Sequence, residues 1–161
     1  MTINWIFDLD NTLYDFIENN NDRFNYNNLE HDNQKNNKLK QLKGKRIIFS
    51  NGNLLHVLAC IRKMKLEKIF HKVSCRELHG LKPHFFSYIS LYRIANIQKE
   101  DKCFFFDDLI ENLVAAKNFG WFTILINPTL NEKDYINNQN IDFYFPNINE
   151  ALDYFLTNDI N

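Results

Sequence analysis

The stretch INWIFDLD, residues 3–10, joins a short apolar run to two acidic residues, Asp8 and Asp10. The chain repeats this arrangement of an apolar run with a polar end at IIFSNG, residues 47–52, and at CFFFDD, residues 103–108. Short runs that are apolar on both faces are typical of buried parallel strands. We therefore expect residues 3–7 to form a strand of a parallel sheet, with the acidic pair at its carboxyl end.

Segments with a helical period separate these runs, and two further apolar runs lie at residues 121–126 and 143–145. Strands that alternate with helices predict an α/β fold, a doubly wound, Rossmann-like parallel sheet. Trp5 and Trp121 lie within apolar strands and are expected in the core. The helical periods predict four buried faces: Leu54, Leu55, Leu58, Ile61 and Met64; Phe85, Ile89, Tyr92 and Ile94; Leu113, Ala115 and Ala116; and Ile148, Ala151, Leu152 and Phe155.

The length of 161 residues fits one domain, 1–161, and the net charge of -1 gives no broad attraction to nucleic acid or anionic membranes. Cys60, Cys75 and Cys103 form no close pair, which indicates reduced, mostly buried thiols. Neither a signal sequence nor an apolar run long enough for a membrane span is evident. We expect a cytoplasmic protein with no nucleic-acid or membrane partner.

An Asn-rich insertion at about residues 19–40 does not fit the alternating pattern. Its composition over residues 19–37 favours a mobile insertion or a poorly packed pair of turns over a specific binding element. Five apolar side chains could still anchor it to the body: Phe16, Ile17, Phe24, Tyr26 and Leu29.

Two acidic pairs are expected at the same edge of the sheet. Residues i and i+2 of a strand point to one face, so Asp8 and Asp10 aim into one site. Asp107 and Asp108 end another strand, and the convergence of up to four carboxylates calls for a hard divalent cation, Mg²⁺ above others. The alternative is that these residues only cap helices.

Ser50, Asn51 and Gly52 follow the second strong strand and precede a helix. A hydroxyl and backbone N–H groups at a helix N-terminus can bind phosphate, although Ser is also a common helix cap. Lys82 and Pro83 open the next predicted helix, which brings an ammonium group near the same edge. The five histidines show no metal-ligand spacing: His31, His56, His71, His79 and His84.

Four ordered motifs in this chain resemble those of the haloacid dehalogenase (HAD) superfamily. They are FDLDNTLY at 7–14, FSNGN at 49–53, KPH at 82–84 and FFFDDLIEN at 104–112, followed by GWFTILI at 120–126. The wording of these motifs is most similar to the pyrimidine 5′-nucleotidase-like branch.

The resemblance implies a phosphatase in which Asp8 is the nucleophile and forms a phosphoaspartate, and Asp10 is the general acid and base. It implies that Ser50 and the Asn51 N–H hold phosphoryl oxygens and that Lys82 offsets their charge. Asp8, Asp107 and the Asp10 carbonyl would bind Mg²⁺, with Asp108 in a supporting role. Asp10 disfavours the dehalogenase reaction, because dehalogenases of this superfamily lack that carboxylate.

The chain departs from the nucleotidase-like branch between the first and second motifs, where that branch usually inserts a longer helical cap. The expected substrates are small phosphorylated metabolites such as nucleotides. A phosphatase with an open site for phosphoproteins or other macromolecules is an alternative, as is a homo-oligomer in which a neighbouring subunit supplies the lid. A binding module without turnover is a third reading. A phospho-receiver domain is excluded, because its Lys follows its acidic residues in the chain whereas Lys82 precedes Asp107.

Overall fold

The computed structural model describes residues 1–15, 25–129 and 138–158. In these residues, strands alternate with helices along most of the chain. The strands are β1 (Ile3–Phe7), β2 (Lys45–Phe49), β3 (Lys72–Ser74), β4 (Lys102–Asp107), β5 (Phe122–Ile126) and β6 (Phe143–Phe145). The helices are a 3₁₀ helix (Tyr26–Asn28), α1 (Asn33–Gln41), α2 (Leu54–Lys63), α3 (Arg76–His79), α4 (Phe85–Ala95), α5 (Ile110–Lys117) and α6 (Ile148–Thr157).

The strands form one parallel sheet in the order β3-β2-β1-β4-β5-β6. The predicted doubly wound α/β sheet is therefore confirmed. The chain starts in the middle at β1, builds outward to β3, and then returns to add β4, β5 and β6 on the other side. The order reverses between β1 and β4, and ligands of such sheets bind beyond the carboxyl ends of the strands at this point.

Alternation along the central strands divides the apolar side chains between two cores. Trp5 and Phe7 of β1 pack on one face of the sheet with residues of α1, α2 and α6. Ile6 of β1 and Phe105 of β4 pack on the other face with residues of α4 and α5. The prediction that both tryptophans lie in the core is confirmed, because Trp5 and Trp121 are buried. The sheet is therefore covered on both faces, and its carboxyl edge is the place left for a site.

The predicted buried faces are correct for α6 and largely correct for α5, but they are wrong for α2 and α4. In α6 the four predicted residues are buried, and in α5 Leu113 and Ala116 are buried while Ala115 is half-buried. The α2 prediction holds only for Ile61 and Met64; the three leucines are exposed, and Val57 and Cys60 are buried instead. In α4 the buried residues are Ser87, Tyr88, Leu91 and Ala95.

Both wrong predictions have the same physical reason. The sequence LLHVLACI of α2 has apolar residues around most of its circumference, so periodicity alone does not identify the face that meets the sheet. The observed face follows the i, i+3, i+4, i+7 spacing from Val57 to Met64. As a result, Leu55 is 80% exposed, and Phe85 at the start of α4 is 60% exposed.

From residue 33 onward, the predicted pair of turns in the Asn-rich insertion is wrong, because these residues form a packed helix. Residues 33–41 form α1, which packs on α6, and the Asp32 side chain caps it by accepting a 3.0 Å hydrogen bond from the Lys35 N–H. The buried Lys35 Nζ donates to the Leu13 carbonyl at 2.6 Å, and the Asn36 side chain donates to the Met64 carbonyl at 2.9 Å. Polar side chains hold this helix, which is why apolar periodicity did not predict it.

Two of the five apolar side chains predicted to anchor the insertion lie in the described part of the chain. Tyr26 and Leu29 pack against the first core, as expected. Phe16, Ile17 and Phe24 lie outside the described residues.

Several smaller features complete the fold. The short edge strand β3 was not predicted, and α4 begins at Phe85 rather than at Pro83. Cys60, Cys75 and Cys103 are buried and free. Among residues 1–15, 25–129 and 138–158, no helix has the length and apolar character needed to span a membrane.

Candidate active site

Three carboxylates meet where β1 and β4 end. Phe7 pairs with Phe106 in the sheet, and the Asp8 N–H donates to the Phe106 carbonyl at 2.8 Å, so Asp8 and Asp107 come side by side. One oxygen from each of Asp8, Asp107 and Asp108 lies within 4.8 Å of the others. Asp8 is 7% exposed and Asp107 is fully buried. Oxygen ligands at this spacing can hold a metal ion.

A buried lysine joins two of these carboxylates. Lys82 comes from the loop between α3 and α4, and its Nζ donates to Asp8 Oδ1 at 2.8 Å and to Asp107 Oδ2 at 2.7 Å. The ammonium group also lies 5.1 Å from the ring centroids of Phe49 and Phe105. A positive charge placed between two carboxylates offsets their repulsion in a region from which water is largely excluded.

The pKa values reflect this crowding of charge. Burial raises the pKa of Asp8. The Lys82 ammonium opposes this increase, whereas the charges of Asp107 and Asp108 add to it. Burial favours neutral Lys82, but Asp107 and Asp8 together raise the pKa of its ammonium group. Burial, followed by the charge of Asp107, raises the pKa of Asp108 to about 6. Asp8 and Asp108 therefore favour the protonated, neutral form when the Lys82 ammonium alone offsets the charge of the cluster.

Asn51 positions Lys82 through a pair of backbone contacts. Its side-chain oxygen accepts a hydrogen bond from the Lys82 N–H at 2.8 Å, and its amide group donates to the Lys82 carbonyl at 3.0 Å. This contact of the Asn51 side chain was not predicted. Ser50 is buried, and its hydroxyl accepts a hydrogen bond from the Gly52 N–H at 3.0 Å.

Asn112 is a further site residue that sequence reasoning did not select. Its side-chain amide donates to both carboxylate oxygens of Asp107 at 3.0 Å, and the Leu109 N–H donates to Asp107 Oδ1 at 2.9 Å. Asn112 lies in α5, one helical turn beyond the end of β4. The available signal was its place at the end of the FFFDDLIEN motif. These hydrogen bonds fix the orientation of the Asp107 carboxylate.

A cleft of about 190 Å³ opens above this cluster. Of the predicted site residues, the structure brings Asp8, Asp10, Asn51, Lys82 and Asp108 to its wall, together with Asn11, Leu109 and Asn112. Asp107 and Ser50 are completely buried. Asp10 lies in the turn after β1 rather than in the strand, and its side chain is not one of the three clustered carboxylates.

The Asp10 carboxylate lies in a different hydrogen-bond network. Its Oδ1 accepts a hydrogen bond from the Tyr14 hydroxyl and lies 2.7 Å from His56 Nε2. The Tyr26 hydroxyl lies 3.0 Å from His56 Nδ1. The hydrogen bond to Asp10, followed by that to Cys60, raises the pKa of His56 to about 11. His56 was not predicted as a site residue, because nothing in its local sequence links it to Asp10, which lies 46 positions earlier.

Comparison with known proteins agrees with this architecture. No protein-family model matches the chain. L-2-haloacid dehalogenase from Xanthobacter autotrophicus, with chloropropionic acid covalently bound, superposes with a TM-score of 0.63 at 20% identity. The HAD phosphatase from Thermococcus onnurineus superposes with a TM-score of 0.61 at 15% identity. The chain has the HAD fold.

A third HAD structure adds a metal to the comparison. The HAD-hydrolase YfnB from Bacillus subtilis, in a magnesium-bound form, superposes with a TM-score of 0.62 at 18% identity. The alignments cover 80%, 75% and 76% of this chain for the dehalogenase, the phosphatase and YfnB, respectively. They cover only 62%, 54% and 53% of those three proteins. This chain thus spans between about half and three-fifths of their length.

Proposed function

We propose that this protein is a Mg²⁺-dependent phosphomonoester hydrolase that acts through a phosphoaspartate at Asp8. The observation that supports this most directly is the joint presence of Asp8, Lys82 and Asp10 at one cleft. Asp8 supplies an oxygen nucleophile, Lys82 lies 2.8 Å from it, and Asp10 is a separate carboxylate available for proton transfer. Hydrolysis of a phosphate ester in two steps needs each of these groups.

In the first step, an Asp8 oxygen attacks phosphorus, the bond from phosphorus to the leaving oxygen breaks, and Asp10 gives that oxygen a proton. In the second step, Asp10 takes a proton from water, the water oxygen attacks phosphorus, and the bond to Asp8 breaks. The Lys82 ammonium offsets the negative charge of Asp8 and of the phosphoryl oxygens as they approach. Proton transfer by a positioned side chain typically contributes about 10²–10⁴ in rate.

The residues at the cleft fit a hard divalent cation. Asp8, Asp107 and Asp108 offer only oxygen ligands within 4.8 Å of one another, and a single Lys82 does not balance three carboxylates. These residues would hold Mg²⁺, and the bound ion would supply positive charge for the phosphoryl group. Mn²⁺ accepts the same oxygen ligands.

The similar dehalogenases raise a second candidate reaction, the displacement of a halide by Asp8. A halide leaves as a stable anion and needs no proton, whereas an alkoxide leaving group does. Asp10 lines the cleft with its carboxylate held by Tyr14 and His56. A carboxylate in this place serves ester hydrolysis and has no role in halide release, which favours the phosphatase.

The proposed substrates are small phosphorylated metabolites such as nucleotides, because a cleft of about 190 Å³ accommodates a phosphoryl group and part of its leaving group. Phosphoproteins are the alternative substrate class. The alternative that is not an enzyme is a binding module without turnover. The proposed setting is the cytoplasm, and a homo-oligomer whose second subunit covers the cleft remains a proposal that light scattering can test.

The test measures phosphate release from nucleoside monophosphates, sugar phosphates, p-nitrophenyl phosphate and phosphopeptides, with Mg²⁺ and with chelator. Chloride release from 2-chloropropionate is followed in parallel. Asp8→Asn is compared with the control Asp153→Asn, because Asp153 is a surface carboxylate paired with Lys38. We expect Mg²⁺-dependent phosphate release that only Asp8→Asn abolishes. Chloride release, or Mg²⁺ binding without any turnover, would reject the proposal.

A further inference from the structure

A short chain of hydrogen-bonding groups connects Asp10 to the 3₁₀ helix of the insertion. His56 lies between the two, with Nε2 at 2.7 Å from Asp10 Oδ1 and Nδ1 at 3.0 Å from the Tyr26 hydroxyl. The His56 side chain is 13% exposed and that of Asp10 is 27% exposed. The imidazole is thus largely enclosed, with each nitrogen next to a polar group.

The backbone of His56 is also fixed. His56 lies in the first turn of α2, where its N–H donates to the side chain of the capping residue Asn53 at 2.8 Å. Val57 and Cys60 of the same helix are buried against the sheet. The position of the ring therefore depends on the core and not on a flexible loop.

The protonated form of the ring, which its raised pKa favours, is compatible with the contacts to Asp10 and Tyr26. With a proton on each nitrogen, the imidazolium donates from Nε2 to Asp10 and from Nδ1 to the oxygen of the Tyr26 hydroxyl. The Tyr14 hydroxyl donates to the same Asp10 oxygen, Oδ1. Two donors on Oδ1 fix the rotation of the carboxyl group and leave Oδ2 for proton exchange.

We propose that His56 is the positioning residue of Asp10 and that Tyr26 orients His56 in turn. This role rests on the proposed phosphatase function and adds to it a residue with no direct contact to substrate. The insertion between β1 and β2 thereby contributes to proton transfer through Tyr26. Displacement of a catalytic group by about 1 Å costs roughly 100-fold in rate, so loss of the donor on His56 has a large expected effect.

The experiment uses leaving groups of different basicity. Departure of p-nitrophenolate needs little help from an acid, whereas departure of an alkoxide needs a proton from Asp10. The quantity to measure is kcat/KM, because it covers the steps up to formation of the phosphoenzyme and excludes its hydrolysis. The full-length protein is assayed with Mg²⁺ on a series of aryl and alkyl phosphates.

Four variants separate the effects. His56→Leu removes the donor and keeps an apolar side chain, while His56→Gln keeps an N–H donor at a similar distance along the side chain. Tyr26→Phe removes only the hydroxyl group. Arg62→Leu is the matched control, because Arg62 is an exposed residue near the end of the same helix. Thermal unfolding of each variant shows whether its fold is retained.

We expect His56→Leu to lower kcat/KM for alkyl phosphates about 10–100-fold more than for p-nitrophenyl phosphate. His56→Gln restores most of this difference, Tyr26→Phe shows a smaller difference of the same sign, and Arg62→Leu shows none. Equal losses on all substrates in both His56→Gln and Tyr26→Phe would overturn the positioning role and leave the phosphatase function intact. A native chain without phosphate release on any substrate overturns both.

Discussion

Asp8 is 7% exposed and hydrogen-bonded to Lys82, whereas Asp10 is half-buried and held by Tyr14 and His56. Asp8 belongs to a buried cluster of opposite charges, with Lys82 and Asp107, at the carboxyl edge of the sheet. The Asp10 side is a hydrogen-bond network that reaches the surface through α2 and the 3₁₀ helix. Carboxyl groups placed in different surroundings can take different roles, so this difference is what a nucleophile and a proton donor need.

The largest expected effect concerns the two carboxyl groups themselves. Asp8→Asn removes the nucleophile and should lower kcat/KM by at least about 10³-fold for every phosphate ester. Asp10→Asn should lower kcat/KM about 10²–10⁴-fold for alkyl phosphates, and far less for p-nitrophenyl phosphate. Steady-state kinetics on both substrate types checks this. If Asp10→Asn lowered kcat/KM equally for both substrate types, the different roles assigned to Asp8 and Asp10 would be contradicted.

The second prediction tests how well the cluster of Asp8, Asp107 and Lys82 is shielded from water. Lys82→Met leaves Asp8 and Asp107 buried without their cation and should cost about 3–5 kcal/mol of unfolding free energy. The control Lys38→Met breaks a 2.7 Å contact to Asp153, whose side chain is 58% exposed, and should cost at most about 1 kcal/mol. Urea unfolding in the presence of chelator measures both values. Similar costs would show that the cluster is not shielded from water.

The third effect concerns the orientation of Asp107. Asn112→Leu removes both side-chain hydrogen bonds to this carboxylate and should weaken Mg²⁺ binding about 10–100-fold. The control Asn118→Leu changes an exposed residue directly after α5 and should leave Mg²⁺ binding unchanged. Isothermal titration calorimetry with Mg²⁺ compares the variants. Unchanged binding in Asn112→Leu would assign the hydrogen bonds to folding alone.

The smallest expected effect is a pH dependence of the unfolding free energy that comes from His79. His79 is buried with its Nδ1 at 2.8 Å from the Ser74 hydroxyl, and burial, followed by the charge of Lys82, lowers the pKa of its imidazole to about 4. The unfolded chain takes up a proton at His79 below about pH 6.5, whereas the folded chain does not until about pH 4. The contribution of His79 to the unfolding free energy should therefore fall by about 1–2 kcal/mol from pH 7 to pH 5, after allowance for solvent screening.

The check for His79 is urea unfolding at several pH values. The difference in unfolding free energy between the native chain and His79→Leu should change by this amount from pH 7 to pH 5, while the same difference for the exposed His84→Leu should stay constant. An unchanged pH dependence in His79→Leu would contradict the expected exclusion of protons from this region.

The central sheet and the convergence at its edge could be predicted from the sequence. The runs that became β1, β2, β4 and β5 are apolar on both faces, and this property is local. Asp8, Lys82 and Asp107 meet because parallel strands end at a common edge, which follows from the chain order of strands and helices.

The remaining features depend on contacts that are not local. His56 contacts Asp10 only because α2 packs beside the end of β1, and no spacing in the sequence reports this. The helix α1 is held by buried polar side chains such as Lys35 and Asn36, so an apolar pattern does not reveal it. The inward face of α2 is chosen by the sheet, because the helix is apolar on most sides.

The strand β4 and the residue after it read KCFFFDD, with phenylalanine at three successive positions and aspartate at the next two. A slip of one residue that pairs Phe7 with Asp107 would still place phenylalanine beside Trp5 and Ile6 and an aspartate, Asp108, beside Asp8. Side-chain type alone is therefore a weak guard against misalignment during folding. The Lys82 ammonium contacts Asp8 and Asp107 together in the observed alignment, so a residue of the candidate site also favours the correct register of the two central strands.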